Sequence, residues 1–588
     1  MRFRHLPLAL AGVAALPAPG TAQTALDAFR GNVAAIHARD RAAYLSHYLQ
    51  SPDLARVGPG GVQRGYADFA RGAGGAWPDT LVATHFEIVS ITPDVAYGAY
   101  RYRVVTGGAS DRGVSERLLV RTDSGWKVAV TTAFSTPGAA PPPMALVGAT
   151  LIDGLGGPPV SDAVVVLRGG RVACAGPRSA CAVGDDVHVV DARGRWVMPG
   201  LVDAHVHFSQ TGWVDGRPDA LDLRAQHPYE RTAAQLRARP ERYYRSYLCS
   251  GVTSVFDVGG YPWTWDLEGR TAGSTAAPHV RAAGPLLATV DFWLNLPAQR
   301  QFIHMTDEQT VRAAVRSHAA WGAAAIKVWY IMPPQPPDTA AMARLLMAAG
   351  DEARRAGLPL IVHATGLPGA KDAVRAGARL LVHSVTGGPV DDEFLHLARA
   401  AGTYYTPTLT VFDGYRQVAE RRVERDRQPL ACVDPETRAR VLATDTVALD
   451  RRASDERLAR TRDGVARQHR IALDNLARVH AAGIPVVMGT DAGNPLTLHG
   501  ASVFMELEAM EAAGLSPMEV LVAATRRGAA AMGLDSVGTV TAGAVADLVV
   551  LDADPLTGVR NVRRIALVVR RGEIYTREEL EYRDDGAR

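Results

Sequence analysis

Residues 323–329 read Ala323-Ala324-Ala325-Ile326-Lys327-Val328-Trp329, an apolar run with one lysine inside it. The run has the length and composition of a buried strand. Of the 64 basic residues only Lys127, Lys327 and Lys371 are lysines, so the residue type is rare here and its position informative. Burial penalises an ammonium ion and pushes the amine toward its neutral form. A neutral amine can take up carbon dioxide as a carbamate, an anionic oxygen ligand. Arginine cannot, because its guanidinium stays protonated.

Outward from Lys327, other metal-ligating residue types close short apolar runs. His205 and His207 lie in Pro199-Gly200-Leu201-Val202-Asp203-Ala204-His205-Val206-His207. Two positions apart on a strand, both imidazoles point to one face and can reach one ion. His363 follows Leu360-Ile361-Val362, His383 follows Leu380-Leu381-Val382, and Asp491 follows Val486-Val487-Met488-Gly489-Thr490. A parallel β/α barrel builds its active site at the carboxyl ends of its strands. Imidazole and carboxylate donors suit zinc, with manganese, cobalt or nickel as alternatives. Lys327 then reads as the bridge between two metal ions. A lone strand-end histidine is usually a hydrogen-bonded core residue; the ordered set HxH, Lys, His, His, Asp is what argues for ligation.

Those residues carry a family resemblance. The chain resembles the amidohydrolase superfamily in its binuclear, carbamylated-lysine form, from about Met144 to Tyr575. The matching pieces are PGLVDAHVH at 199–207, GVTSVFDVGG at 251–260, IKVW at 326–329, IVHA at 361–364, LVHS at 381–384, GTDAG at 489–493 and GTVTAGAVADLVVLDADPL at 538–556. HGAS at 499–502 and AGLSPMEVLVAAT at 513–525 are similar to the prolidase-like and imidazolonepropionase-like group. The resemblance implies a (β/α)8 TIM-like barrel over 199–536, flanked by a composite β-sandwich from 144–198 and 537–577. It implies that His205, His207 and Asp491 hold one divalent ion, zinc foremost, and His363 and His383 a second. Carbamylated Lys327 and a hydroxide would bridge the two. Asp491 would serve as ligand and general acid/base, and the reaction would be hydrolysis of an amide or peptide-like C–N bond.

Substrate contacts are sought among Tyr330, Tyr229, His227, Arg281, Thr365 and His499, near strand ends or in the loops beyond. A Tyr or His there could donate to a tetrahedral oxyanion, and an Arg could clamp a carboxylate. The segment VWYIMPPQPP at 328–337 departs from the small polar loop of prolidase-like relatives and points to a bulkier, apolar pocket. The same metal site could instead open a lactone, cyclic imide or phosphotriester. Deamination at a single metal is a third chemistry, which a bridging carbamate opposes.

The rest of the chain organises around this barrel. The 588 residues are enough for several domains. A net charge of +3 without a dense basic block gives no sign of nucleic-acid binding. Arg2 and Arg4, the apolar Leu6–Leu16 and the small residues Gly20-Thr21-Ala22 read as a cleaved signal over 1–22, hence a periplasmic or secreted protein without a membrane anchor. Residues 24–138 read as a small α+β domain. Helical rhythm runs from Leu26 to Tyr48, and strands are expected at 81–91, 95–106, 113–122 and 125–136. The order resembles an NTF2-like (SnoaL-like) domain, which could act as a binding module. There His37, Asp40, Tyr44 and His47 read as pocket mouth or as helix surface. Residues 139–143 are a Pro-rich linker. Residues 412–470 are a charged helical insertion, either a solvated face or a lid. Cys174 and Cys181 could bridge across a turn, although spacing alone establishes no pairing. The expected partner is a small-molecule substrate, with homo-oligomerisation left open.

Overall fold

A computed structural model describes residues 19–58, 61–73, 77–78, 80–106, 109–135, 141–217, 223–291, 299–332, 338–420, 422–444 and 455–582. Most of the segment read as an export signal, and residues 139–140 of the linker, lie outside them. Two compact units divide the chain between positions 140 and 141.

The N-terminal unit has helices Pro19–His37 and Arg41–Ser46 and a six-stranded sheet. The sheet order is Gly61–Arg64, Ala55–Gly58, Gly125–Ser135, Ala109–Thr122, Val95–Thr106, Thr80–Thr92. The four long strands form a meander of antiparallel hairpins, as the alternating sequence predicts. Their inward residues meet the first helix in a core around Phe29, Val33, Tyr48, Phe69, Tyr100 and Leu119. Asp40 caps the second helix by accepting from Ala43 N.

In the C-terminal unit, strands from both ends of the segment share one eight-stranded sheet. Trp196–Pro199 pairs antiparallel with Leu548–Leu551, joining the strands of 144–199 to those of 548–576. Fully buried Arg570 bonds Asp547 at 3.0 Å, and Asp547 also meets His279 at 2.8 Å. Arg570 and His279 hold the Asp547 carboxyl at about 2 against its burial. The group couples this sheet to strand His279–Ala282.

Between these segments every described strand is parallel to its neighbours. Leu201–Val206, Val252–Asp257 and His279–Ala282 form one sheet. Phe302–His304, Leu286–Ala288, Ile326–Trp329, Leu360–His363, Ala378–Val382 and Tyr404–Thr406 form another, in that order. Further backbone bonds connect them. Ala324 N donates to Ala282 O (2.9 Å), Tyr405 N to Pro485 O (2.9 Å), Val487 N to Tyr405 O (3.0 Å), and Ala204 N to Met488 O (3.1 Å). The apolar runs are buried on both faces, as covered parallel strands must be.

Helices Glu308–Ala320, Thr339–Arg355, Leu367–Arg375 and Asp392–Ala401 alternate with these strands. Asp307, Asp338 and Asp391 are side-chain N-caps of three of them. Thr306 stands one residue before the first of these caps, and its hydroxyl donates to the Asp307 carboxylate. The charged insertion forms helices Thr410–Glu420, Pro435–Ala443 and Asp455–Ala481. Cys249–Cys432 ties it to helix Tyr244–Cys249, and Cys174–Cys181 closes a short loop. No described helix is long and apolar enough to cross a membrane.

Candidate metal centre

Strand ends bring the metal-type residues together. Donor atoms of His205, His383 and Asp491 all lie within 4.8 Å of one another. Asp491 Oδ1 is 3.0 Å from His207 Nε2 and 3.3 Å from His205 Nε2. The His363 and His383 rings are centred 4.3 Å apart, and those of His205 and His383 4.8 Å apart. His207, Lys327, His363, His383 and Asp491 line one cavity of about 350 Å³.

The donor set suits a divalent cation. Asp491 Oδ1 is buried and accepts no hydrogen bond from any described residue, although two imidazoles crowd it. His207 donates through Nδ1 to Gly259 O at 2.7 Å, which leaves Nε2 lone-paired toward Asp491. Burial, reinforced by the charge of Lys327, pushes His205 and His363 well below the usual imidazole range. Burial does the same to His383, whose largest charged neighbours are His363 and Lys327. Neutral imidazole is the ligating form. Lys327 is 1% exposed, and burial lowers its amine to about 7 despite attraction to Asp491 and Asp257.

The supporting residues show why the site forms where it does. Fully buried Asp203 accepts from Thr490 N (2.9 Å), Thr490 Oγ1 (2.6 Å) and His205 N (3.3 Å), fastening the HxH strand to the Asp491 turn. Burial raises its carboxyl to about 7. Asp257 accepts from Phe208 N and Gly259 N, and burial raises it to about 6. Glu506 accepts from Leu409 N, Thr410 N and Thr410 Oγ1 and is raised by burial to about 7. His383 and Asp491 have φ of 73° and 62°, a left-handed backbone uncommon for such residues and frequent where function imposes strain. At Gly489 a Cβ would lie 2.7 Å from Thr406 Cγ2 and 2.8 Å from His205 Cβ, so glycine lets this segment pass close to the strand that carries His205.

Of the residues expected to touch substrate, Thr365 lines the cavity. The other five are placed elsewhere, each for a visible reason. The Tyr330 side chain is buried in the core, its hydroxyl donating to Asp372. Tyr229 stands behind the wall, accepting from Gln301 and paired with Tyr261. His227 packs edge-on against Trp213. Arg281 donates to Met532 O and pairs with Glu268, away from the metal-type residues. His499 stacks on Tyr243 at 3.8 Å and bonds His207 O, so it braces the HxH turn. Sequence reasoning missed Arg217, which lines the cavity, donates to Asn494 Oδ1 at 2.6 Å, and adds to the field that disfavours protonated His363 and His383. Its only sequence signal is a cation ten residues beyond the HxH pair. Apolar and aromatic side chains form another part of the wall: Leu286, Phe302, Trp329, Val411, Phe412 and Val465. Three of these come from insertion helices, so the insertion covers the cavity as well as facing solvent.

Comparison with known proteins agrees with this geometry. The profile of the amidohydrolase family matches residues 196–575. The imidazolonepropionase of Bradyrhizobium sp. (strain BTAi1 / ATCC BAA-1182) is 34% identical over 144 residues, 21% of this chain and 35% of that protein. The chain thus spans about a third of the length of its first curated relatives. The imidazolonepropionase of Streptomyces avermitilis is 28% identical over 411 residues, covering 67% of this chain and 81% of the relative. Among solved structures, a Xaa-Pro dipeptidase with methionine bound in its active site superposes with a TM-score of 0.56 at 23% identity, covering 74% of this chain and 100% of that one.

Proposed function

The chain belongs to the amidohydrolase family, and from that premise we propose that it hydrolyses a C–N bond in a small, carboxylate-bearing amide such as an N-acyl amino acid or dipeptide. The observation that carries this reading is the convergence of His205, His207, Lys327, His363, His383 and Asp491 at strand ends around one cavity. The backbone bonds that link the two parallel sheets, and the 485–491 segment with them, support a closed (β/α)8 barrel. The paired strands of 144–199 and 548–576 support the composite β-sandwich beside it.

In this reading His205, His207 and Asp491 would hold one divalent ion, zinc by donor chemistry, His363 and His383 would hold a second, and Lys327, as a carbamate, would supply an anionic oxygen ligand. Such ions supply Lewis acidity to a carbonyl and make water acidic enough to attack near neutral pH. The chain supplies the rest. The lowered amine of Lys327 is available to carbon dioxide without strong base. Asp491, facing the cavity, takes a proton from the attacking water and delivers it to the departing nitrogen. Asp203 and Thr490 hold its turn against the HxH strand. Arg217 grips the substrate carboxylate, and Phe302, Trp329 and Phe412 exclude water from the acyl side chain.

The N-terminal unit, helices on a meandering sheet, is in our reading an NTF2-like binding module. Export is part of the same reading: two disulfides fit an oxidising compartment.

Amine release tests the proposal. Zinc-loaded protein incubated with N-acyl amino acids, dipeptides and their carboxamide counterparts should liberate amine from the carboxylates, and Arg217→Gln should raise KM more than it lowers kcat. Silence toward every amide, with turnover of lactones or cyclic imides, would move the function to those substrates.

A further inference from the structure

A second cavity, of about 380 Å³, lies wholly within the N-terminal unit. One part of its wall is apolar and aromatic, with Ile36, Tyr44, Phe69, Trp77, Leu81 and Tyr102, and another is polar, with Ser115, Arg117, Thr131 and Thr132. Two arginines line it: Arg56 is exposed, whereas Arg117, on strand Ala109–Thr122, is 5% exposed and is the buried guanidinium of the cavity. Burying a cation is costly unless a partner compensates it. The neighbours of Arg117 are the phenols of Tyr44, Tyr48 and Tyr100, and no described carboxylate pairs with it.

The hydrogen bonds of Arg117 are lopsided. Nη1 donates to Ser115 Oγ (2.6 Å), Glu116 O (2.9 Å) and Thr132 O (3.2 Å), which locks the group in place. Nη2 reaches Tyr100 OH at 3.5 Å, and the Tyr48 hydroxyl also lies within reach of the guanidinium. Nε is buried without a partner, and so is the hydroxyl of Thr132, another cavity-lining residue. Nε and Nη2 form the edge of a guanidinium that binds a carboxylate side-on through two parallel N–H···O bonds. Buried donors without acceptors are rare and call for an explanation.

We propose that this cavity binds a small aromatic carboxylate, its anion held side-on by Arg117 and Thr132 and its ring packed among the aromatic walls. A single buried fork suits a monoanion, and the flat apolar walls suit a ring. The site is distinct from the metal centre and does not depend on what that centre hydrolyses.

Fluorine NMR titration of the full chain with para-fluorobenzoate, and with neutral para-fluorobenzamide, tests this. The wild type should bind the carboxylate at least about tenfold more tightly than the amide. Arg117→Gln should weaken carboxylate binding about tenfold or more while leaving amide hydrolysis unchanged. Arg217→Gln should leave this binding intact, separating it from the metal-centre cavity. Should Arg117→Gln fail to fold, Arg117→Lys, which keeps the charge and loses the fork, should show the same weakening. Absence of carboxylate binding in the wild type, equal binding of the two probes, undiminished binding in the Arg117 variants, or loss confined to Arg217→Gln would each overturn the proposal.

Discussion

At the scale of single residues, the protein places groups where their ordinary chemistry is costly. Burial lowers Lys327 from 10.5 to about 7. In the metal-free chain the folded state therefore resists protonating an amine that the unfolded chain protonates freely up to about pH 10. The sign follows: the penalty is full below about pH 7 and fades as pH rises toward the unfolded value. Chelator-treated Lys327→Met should be more stable to urea than chelator-treated wild type at about pH 6, by roughly 3–5 kcal/mol, and the gap should shrink by about pH 10. A constant gap would mean that the amine does not titrate in the fold. Gly489→Ala should abolish metal-dependent activity, because its Cβ would overlap His205 and Thr406; an active, metal-replete Ala variant would show that the two strands can separate without cost. The histidines and Asp491 were legible in the sequence because they close short apolar runs, and Lys327 because it is a lysine inside one. Arg217 and Asp203 were not singled out, since a loop cation and a strand acid acquire meaning only when folding brings the cavity or Thr490 beside them.

Among elements, the same asymmetry holds. Strand positions in the N-terminal unit, expected at 81–91, 95–106, 113–122 and 125–136, lie within a few residues of Thr80–Thr92, Val95–Thr106, Ala109–Thr122 and Gly125–Ser135. Alternation along one strand is local and therefore readable. Contacts between distant elements are not. Cys249 and Cys432 are separated by 183 residues, and no spacing announces their bond, whereas Cys174 and Cys181 are separated by 7. Loop length also ranks the two energetically. Chain-entropy estimates give about 5 kcal/mol for the long closure and about 2 kcal/mol for the short one. Replacing Cys249 and Cys432 by Ala should therefore cost more stability in urea titration than replacing Cys174 and Cys181, and should loosen the insertion whose helices carry Val411, Phe412 and Val465. An inverted ranking would show that the long loop is already constrained when the chain unfolds.

For the whole molecule, separate cores predict separate unfolding. The N-terminal core around Phe29 and Tyr100 contains only residues before position 141, and all the metal-type residues lie beyond it. Calorimetry should resolve two transitions, and chelation should lower only the one belonging to residues 141–588, since a ligand stabilises the unit that binds it. A single transition that shifts as a whole would indicate coupled units. The second cavity belongs to this scale as well. Along its strand Arg117 is one polar residue among several, and its burial emerges only once the sheet packs on the helices.

In the proposed function Lys327 completes a site for two ions. The most direct test is elemental analysis of metal per chain for wild type and Lys327→Ala, each reconstituted with zinc and bicarbonate and freed of loosely held ions. Two ions per wild-type chain, falling to one or none in the variant, is the predicted result. Two ions retained without Lys327, or no more than one in the wild type, would contradict it.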